Sequence, residues 1–215
     1  MGWFMLPSAP TANGAFFSFG TTSGAYIELY TNSSSQFRAY SSGSASASET
    51  LVTGRWYHMA LVCRGSANGN MEGWLNGKLV VTGNPSNSAV AQKIFIGNTN
   101  DGENVNAYGE AFKVFGRSLN ADEIAAEMQC VVPINVADCV SWHAGDPGQQ
   151  TVDSATFNNW TEAGTVRWEE SSPPIPFAQY LFPMLPGGGS TSISIADSGS
   201  ASDATGISVG LALVE

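Results

Sequence analysis

Two acidic clusters are the first candidates for chemistry: Asp122, Glu123 and Glu127, and the adjacent pair Glu169 and Glu170. Glycoside hydrolysis needs two carboxylates facing each other across a cleft, placed on one side of a strand by its alternation. Neither cluster meets that demand, because the first lies in a helix-like stretch and the second precedes a proline run; both read as solvated surface. His58 could act as a base, but no Ser or Cys with a supporting acid is identifiable around it, so it reads as a hydrogen-bonded structural residue. Cys63, Cys130 and Cys139, with His58 and His143, show no CxxC or Cys/His spacing of the zinc-binding kind. Only Cys130 and Cys139 are close enough to suggest a bridge, and a chain of this size has core enough to leave all three as thiols. Oxygen donors are dense in one loop, Asn98, Asn100, Asp101, Glu103 and Asn104, although such residues are also ordinary turn material. Sugar binding asks for an exposed aromatic platform beside amide or carboxylate partners. Trp74, Tyr108, Trp142 and Trp160 are the candidates, set against a background in which most of the six tryptophans belong to a core. These residues do not assemble a reaction, and the chain reads as a non-enzyme.

The elements that must position them are strands. The chain has 215 residues, 43% of them hydrophobic, which argues against disorder and allows a real core. Charged residues make up 12%, about half the usual share of roughly 25%. The net charge of −10 arises from having only eight Lys and Arg. So few scattered cations cannot build the basic patch that nucleic acid or an anionic membrane surface requires. No segment reaches membrane-spanning length. The apolar start, Trp3 to Leu6, lacks a basic region and breaks at Pro7, unlike a secretory signal.

Short apolar segments bounded by Gly, Ser and Asn recur at 15–19, 26–30, 37–40, 56–63, 71–75, 78–81, 94–96 and 112–115, the spacing of an antiparallel sandwich. In the run from Trp56 to Arg64, Tyr57, Met59, Leu61 and Cys63 form one face and Trp56, His58, Ala60, Val62 and Arg64 the other. Both faces are largely apolar, which predicts a central strand. Asn76-Gly77 between two such runs predicts a type I′ hairpin, since both residues tolerate positive φ. Asn120 with Glu123 three residues on predicts a capped helix, with Ile124 and Met128 on one face packing on a sheet edge.

Four motifs then stand in order: Gly54-Arg55-Trp56-Tyr57-His58-Met59-Ala60, Leu75-Asn76-Gly77, Ile94-Phe95-Ile96-Gly97, and Arg117-Ser118-Leu119-Asn120-Ala121-Asp122-Glu123-Ile124. Over residues 2–130 the chain resembles the laminin G-like, concanavalin A-like lectin/glucanase superfamily. The resemblance implies an all-β, concanavalin A-like jelly-roll sandwich, here with one short helix and a C-terminal β-extension. Calcium is the common ligand of such domains, and the loop of Asn98, Asn100, Asp101, Glu103 and Asn104 is where it would be held; no other cofactor is expected. The glucanase relatives carry Glu-x-Asp-x-x-Glu on one strand, and this sequence has no such motif.

Residues 131–176 are expected to complete the sandwich, making 1–176 one domain. Residues 177–215 form an extension: a Pro/Gly linker, then period-2 apolar runs at Ile193 and Ile195 and at Ile207, Val209, Leu211 and Leu213. Two strands alone are marginal in water, so their apolar face must fold back on the sandwich or add to a neighbouring subunit's sheet. Such an arm suggests a homo-oligomer or contact with other proteins of a particle. The expectation is a non-enzymatic structural or attachment protein of a virion, such as a bacteriophage capsid decoration, fibre or tail component. The alternative is a glycan-binding adhesion module of a secreted bacterial protein at the cell surface.

Overall fold

The computed structural model describes residues 1–20, 26–41, 44–64, 71–83, 93–97 and 103–143. In chain order these form β1 (Gly2–Met5), β2 (Gly14–Gly20), β3 (Tyr26–Thr31), β4 (Gln36–Ser41), β5 (Ser44–Thr50), β6 (Trp56–Cys63), β7 (Met71–Leu75), β8 (Lys78–Gly83), β9 (Lys93–Ile96), β10 (Tyr108–Glu110), β11 (Phe112–Phe115), helix α1 (Ala121–Met128) and β12 (Cys139–His143). One five-stranded sheet has the order β10-β1-β6-β7-β8 and the other β5-β4-β3-β2-β9, while β11 and β12 pair with each other. Every ladder is antiparallel.

Period-2 alternation gives each sheet an inner face, and the two inner faces make the core. Phe4, Tyr57, Met59, Met71, Leu75 and Val81 of the first sheet meet Phe17, Leu29, Phe37 and Ala39 of the second. Phe4 sits at the centre, its ring edge-on to Phe17 at 4.9 Å. Gly73 lets the sheets approach, since a Cβ there would collide with Val81 and stand 3.0 Å from Leu29. As expected, β6 is the middle strand of its sheet, with Tyr57 and Met59 turned to this core and Ala60 and Val62 to the opposite side.

That opposite side is also covered. Ala60, Val62 and Trp74 pack under Leu119 and the helix residue Ile124. The helix therefore lies on the face of the sheet, over β6 and β7, and not on its edge. An edge would have left Ala60, Val62 and Trp74 wet, and their burial explains the placement. Its start is a capping box, with Glu123 N–H donating to Asn120 Oδ1 at 3.0 Å and Asn120 N–H donating to Glu123 Oε2 at 2.8 Å. The β7–β8 turn has φ of 50° at Asn76 and 76° at Gly77, the left-handed pair that the Asn-Gly signal requires.

Four strands carry no strong pattern of their own. β5 is Ser-Ala-Ser-Ala-Ser-Glu-Thr, ordered by pairing with β4, and β10 is three residues long. β1 inserts between β6 and β10. β12 pairs with β11 and is the last described element of the 131–176 stretch. The remainder of that stretch, the 177–215 extension, and with them Ile193, Ile195, Ile207, Val209, Leu211 and Leu213, lie outside the described residues.

Candidate functional site

The face of the second sheet turned away from the core gathers polar and aromatic side chains. Ile27, Leu29, Phe37 and Ala39 point or pack inward, so Glu28, Tyr30, Arg38 and Tyr40 take the opposite side of β3 and β4. Antiparallel register sets them in rows. Phe95 of β9, Ser18 of β2, Glu28 of β3 and Tyr40 of β4 stand opposite one another in succession, and Tyr30 stands opposite Arg38 in the adjoining row. Ser18, Glu28 and Tyr30 are buried, while Phe95, Arg38 and Tyr40 are half-buried.

The Arg38 guanidinium carbon lies 5.6 Å from the Tyr30 ring centre, within cation–π range. Burial raises the Tyr30 hydroxyl pKa above its ordinary value; Arg38 opposes that rise, and the charges of Glu28 and Glu103 and the nearby Tyr40 add to it. Arg38 Nε is buried with no hydrogen-bond partner among the described residues. The other buried or bridging cations differ: Arg64 meets Glu72, Lys113 meets Glu127, and Arg117 meets Glu123 and Asp138.

Glu103 reaches this neighbourhood through its backbone. Its carbonyl accepts from Ala15 N–H at 3.1 Å, Ala15 bridges to Asn104, and Ala15 stands opposite Tyr30. Val105 N–H donates to Gly97 O at 3.0 Å, so the ends of the oxygen-rich loop meet. Asn98, Asn100 and Asp101 lie outside the described residues. Glu103 and Asn104 alone cannot supply the six to eight oxygens calcium takes. Among the described residues no three His, Cys, Asp or Glu are grouped to hold a metal.

The aromatic candidates are spread apart. Trp74 is 7% exposed under the helix, its Nε1 donating to Glu72 Oε2 at 3.0 Å, so its ring offers no open face to a sugar. Tyr108 lies on the edge strand β10 opposite Met5, and Trp142 lies on β12 opposite Lys113; both are half-buried. Trp160 is outside the described residues. None of the four belongs to the Tyr30–Arg38 rows.

A second polar centre lies between helix α1 and β11, and it corrects one expectation. Glu127 is not solvated: it is 1% exposed. Its Oε2 accepts from Lys113 Nζ at 2.8 Å, and its Oε1 accepts the N–H groups of Ile134 at 2.9 Å and Asn135 at 3.1 Å. Lys113 Nζ also donates to the carbonyls of Glu127 and Cys130. Burial holds the Lys113 ammonium pKa below its ordinary value in spite of Glu127. Asp122 is exposed, Glu123 caps the helix, and Glu169 and Glu170 lie outside the described residues. His58 is buried edge-on to Trp3 at 5.5 Å with its Nδ1 lacking a hydrogen bond, and burial pushes its pKa well down. It is a neutral core residue whose Nδ1 has no hydrogen-bond partner among the described residues. The three cysteines are free.

The family model described as the concanavalin A-like lectin/glucanases superfamily matches residues 2–125. The chain belongs to that superfamily. No curated protein sequence matches it. Among solved structures this superfamily member is similar to a candidate carbohydrate-binding protein from Bacteroides ovatus, with a TM-score of 0.60 and 16% identity, over 81% of this chain and 54% of that one. The chain thus spans about half the length of that relative. Looser likenesses are to a Trypanosoma rangeli sialidase, TM-score 0.44 and 16% identity over 58% of this chain and 21% of that one. A third is to the Ruminococcus gnavus IT-sialidase CBM40 bound to α2,6 sialyllactose, TM-score 0.41 and 15% identity over 59% and 79%. At these identities the likeness is one of fold, and nothing is argued from the two looser ones.

Proposed function

We propose that this chain is a non-catalytic carbohydrate-binding module that holds a glycan against the outward face of β2, β3 and β4. The observation that carries this reading is that Phe95, Arg38 and Tyr40, the half-buried members of these rows, share one outward face, with the buried Ser18, Glu28 and Tyr30 as the layer that positions them. Aromatic rings beside a phenolic hydroxyl and a guanidinium are chemistry that sugar C–H faces and hydroxyls demand. Superfamily membership and the fold shared with the Bacteroides ovatus protein support it. Four of the described carboxylates, Glu72, Glu123, Glu127 and Asp138, are engaged by cations and so are not poised for hydrolysis. The glycan-binding alternative raised from the sequence is therefore preferred over a virion component, for which neither the family nor the structural likenesses offer support.

The test is a glycan array on the full chain, followed by calorimetric titration of any hit against the protein and its Tyr40→Ala variant. Binding that Tyr40→Ala weakens by about tenfold or more, as loss of a stacking or hydrogen-bonding ring should, is expected. No binding across neutral and acidic glycans at millimolar concentration would refute the reading, and turnover of a bound glycan would refute its non-catalytic half.

A further inference from the structure

We infer that the glycan taken by this face carries a carboxylate, and that the Arg38 guanidinium is the group that reads it. The inference rests on the carbohydrate-binding reading above and goes further by naming the ligand's charge.

Arg38 is set up as a receptor. It stands on a strand paired on both sides, with β3 and β5, and its guanidinium carbon lies over the Tyr30 ring. It has no carboxylate within salt-bridge reach among the described residues, whereas Arg64 and Lys113 each have one and Arg117 has two. Its Nε is shielded from solvent and makes no hydrogen bond among the described residues. A buried donor left unpaired is costly, and a planar fork with an unmade bond matches a planar, two-oxygen anion better than a hydroxyl. Tyr40, two residues along β4 and so on the same face, adds a phenol ring to it. Glu28 lies in the neighbouring row with Tyr40, one strand repeat of about 7 Å away. Its charge disfavours a ligand carrying many anionic groups and leaves room for one carboxylate seated at Arg38.

Carboxylated sugars come from two sources, uronic acids and nonulosonic acids, and the experiment separates them. Galacturonic-acid oligosaccharides and a sialylated trisaccharide are titrated calorimetrically against the full chain, each beside its carboxylate methyl ester and a sulfated neutral oligosaccharide. One of the two acids is expected to bind and its ester to bind roughly 10- to 100-fold more weakly, the range for loss of a charge-assisted pair. Arg38→Gln should reproduce that loss and abolish the preference, so that acid and ester bind the variant about equally. Arg38→Lys should recover only part of it, because an ammonium keeps the charge without the fork. Equal binding of acid and ester, or an Arg38→Gln variant that still prefers the acid, would overturn the inference while leaving carbohydrate binding intact. Equal binding of the sulfated sugar would overturn the carboxylate assignment, and absence of any sugar binding would overturn the underlying reading as well. Circular dichroism and melting of Arg38→Gln decide whether a lost signal is a lost fold; in that case Tyr40→Phe, which removes one hydroxyl, must still reduce the acid-to-ester preference.

Discussion

Replacing Glu127 by Gln should be among the most damaging single-atom changes available in this fold. The side chain keeps its shape, and its Oε1 can still accept from Ile134 and Asn135 as it does now at 2.9 and 3.1 Å. What disappears is the negative charge 2.8 Å from Lys113 Nζ, in a place where the two side chains are 1% and 0% exposed. An ammonium left uncompensated in such a site costs about 3–5 kcal/mol. For a domain of this size that lowers the melting temperature by about 6–20 °C, out of a total stability of about 5–15 kcal/mol. The carbonyls of Glu127 and Cys130, which also accept from Lys113 Nζ at 2.8 and 2.7 Å, hold the cost below that of a bare buried charge.

The assay is urea unfolding followed by tryptophan fluorescence, at pH 7 and again towards pH 10. Burial already holds the Lys113 pKa below its ordinary value, so the unfolded chain binds the extra proton and stability from this group rises with pH through that window. Removing the carboxylate lowers the folded-state pKa further, and the deficit of Glu127→Gln should narrow as pH rises. The double variant Lys113→Met with Glu127→Gln, neutral throughout, should recover at least about 2 kcal/mol of the loss. A Glu127→Gln protein within about 1 kcal/mol of the wild type at pH 7, or a deficit that widens with pH, would refute the reasoning.

Asn120→Ala removes the acceptor for Glu123 N–H and should cost about 1 kcal/mol in the same unfolding assay; no change would mean the capping box contributes nothing. Gly77→Ala forces φ of 76° on an alanine although its Cβ would meet nothing nearer than Met128 at 3.6 Å. It should destabilise by roughly 1 kcal/mol through backbone strain alone, and a neutral result would show that the turn relaxes. Trp74→Phe keeps an aromatic ring under the helix while losing the bond to Glu72 and part of the indole's packing volume, so glycan titration should be unchanged; weakened binding at full fold would make Trp74 part of the site. Burial pushes the Cys139 thiol up to about 11, and iodoacetamide at pH 8 should label it only after unfolding, as peptide mass mapping would show.

Local signals were legible because their physics is local. Asn76-Gly77 dictates its turn whatever surrounds it, and Asn120 with Glu123 closes a helix start within one turn of chain. The β6 alternation told both of its faces correctly, since two apolar faces can only mean a strand covered twice. β5 was hidden for the opposite reason: an alternation of Ser and Ala has no face to bury and becomes a strand only because β4 offers it a partner. Reading Glu127 as solvated followed from its acidic neighbours Asp122 and Glu123, yet a signal for its burial was present. Glu127 is three residues from Ile124, on the helix's buried side, and Lys113 is a lone cation among Phe112, Val114 and Phe115. A cation in an apolar strand and an anion on an apolar helix face ask for each other.

The candidate site was illegible for a deeper reason. Glu28, Tyr30, Arg38 and Tyr40 form no motif, because the spacing that joins them is not along the chain but across it. Tyr30 meets Arg38 only because β3 and β4 pair in one register, and a slip of one residue would turn Arg38 into the core and Ala39 out. That register is enforced from the other side of the sheet, where Leu29 stands opposite Ala39 and both are buried. The apolar residues that drive folding therefore also decide which polar residues become neighbours on the outer face. A search of the sequence for aromatic platforms finds tryptophans, which the core claims first, and passes over tyrosines that only the pairing brings beside an arginine.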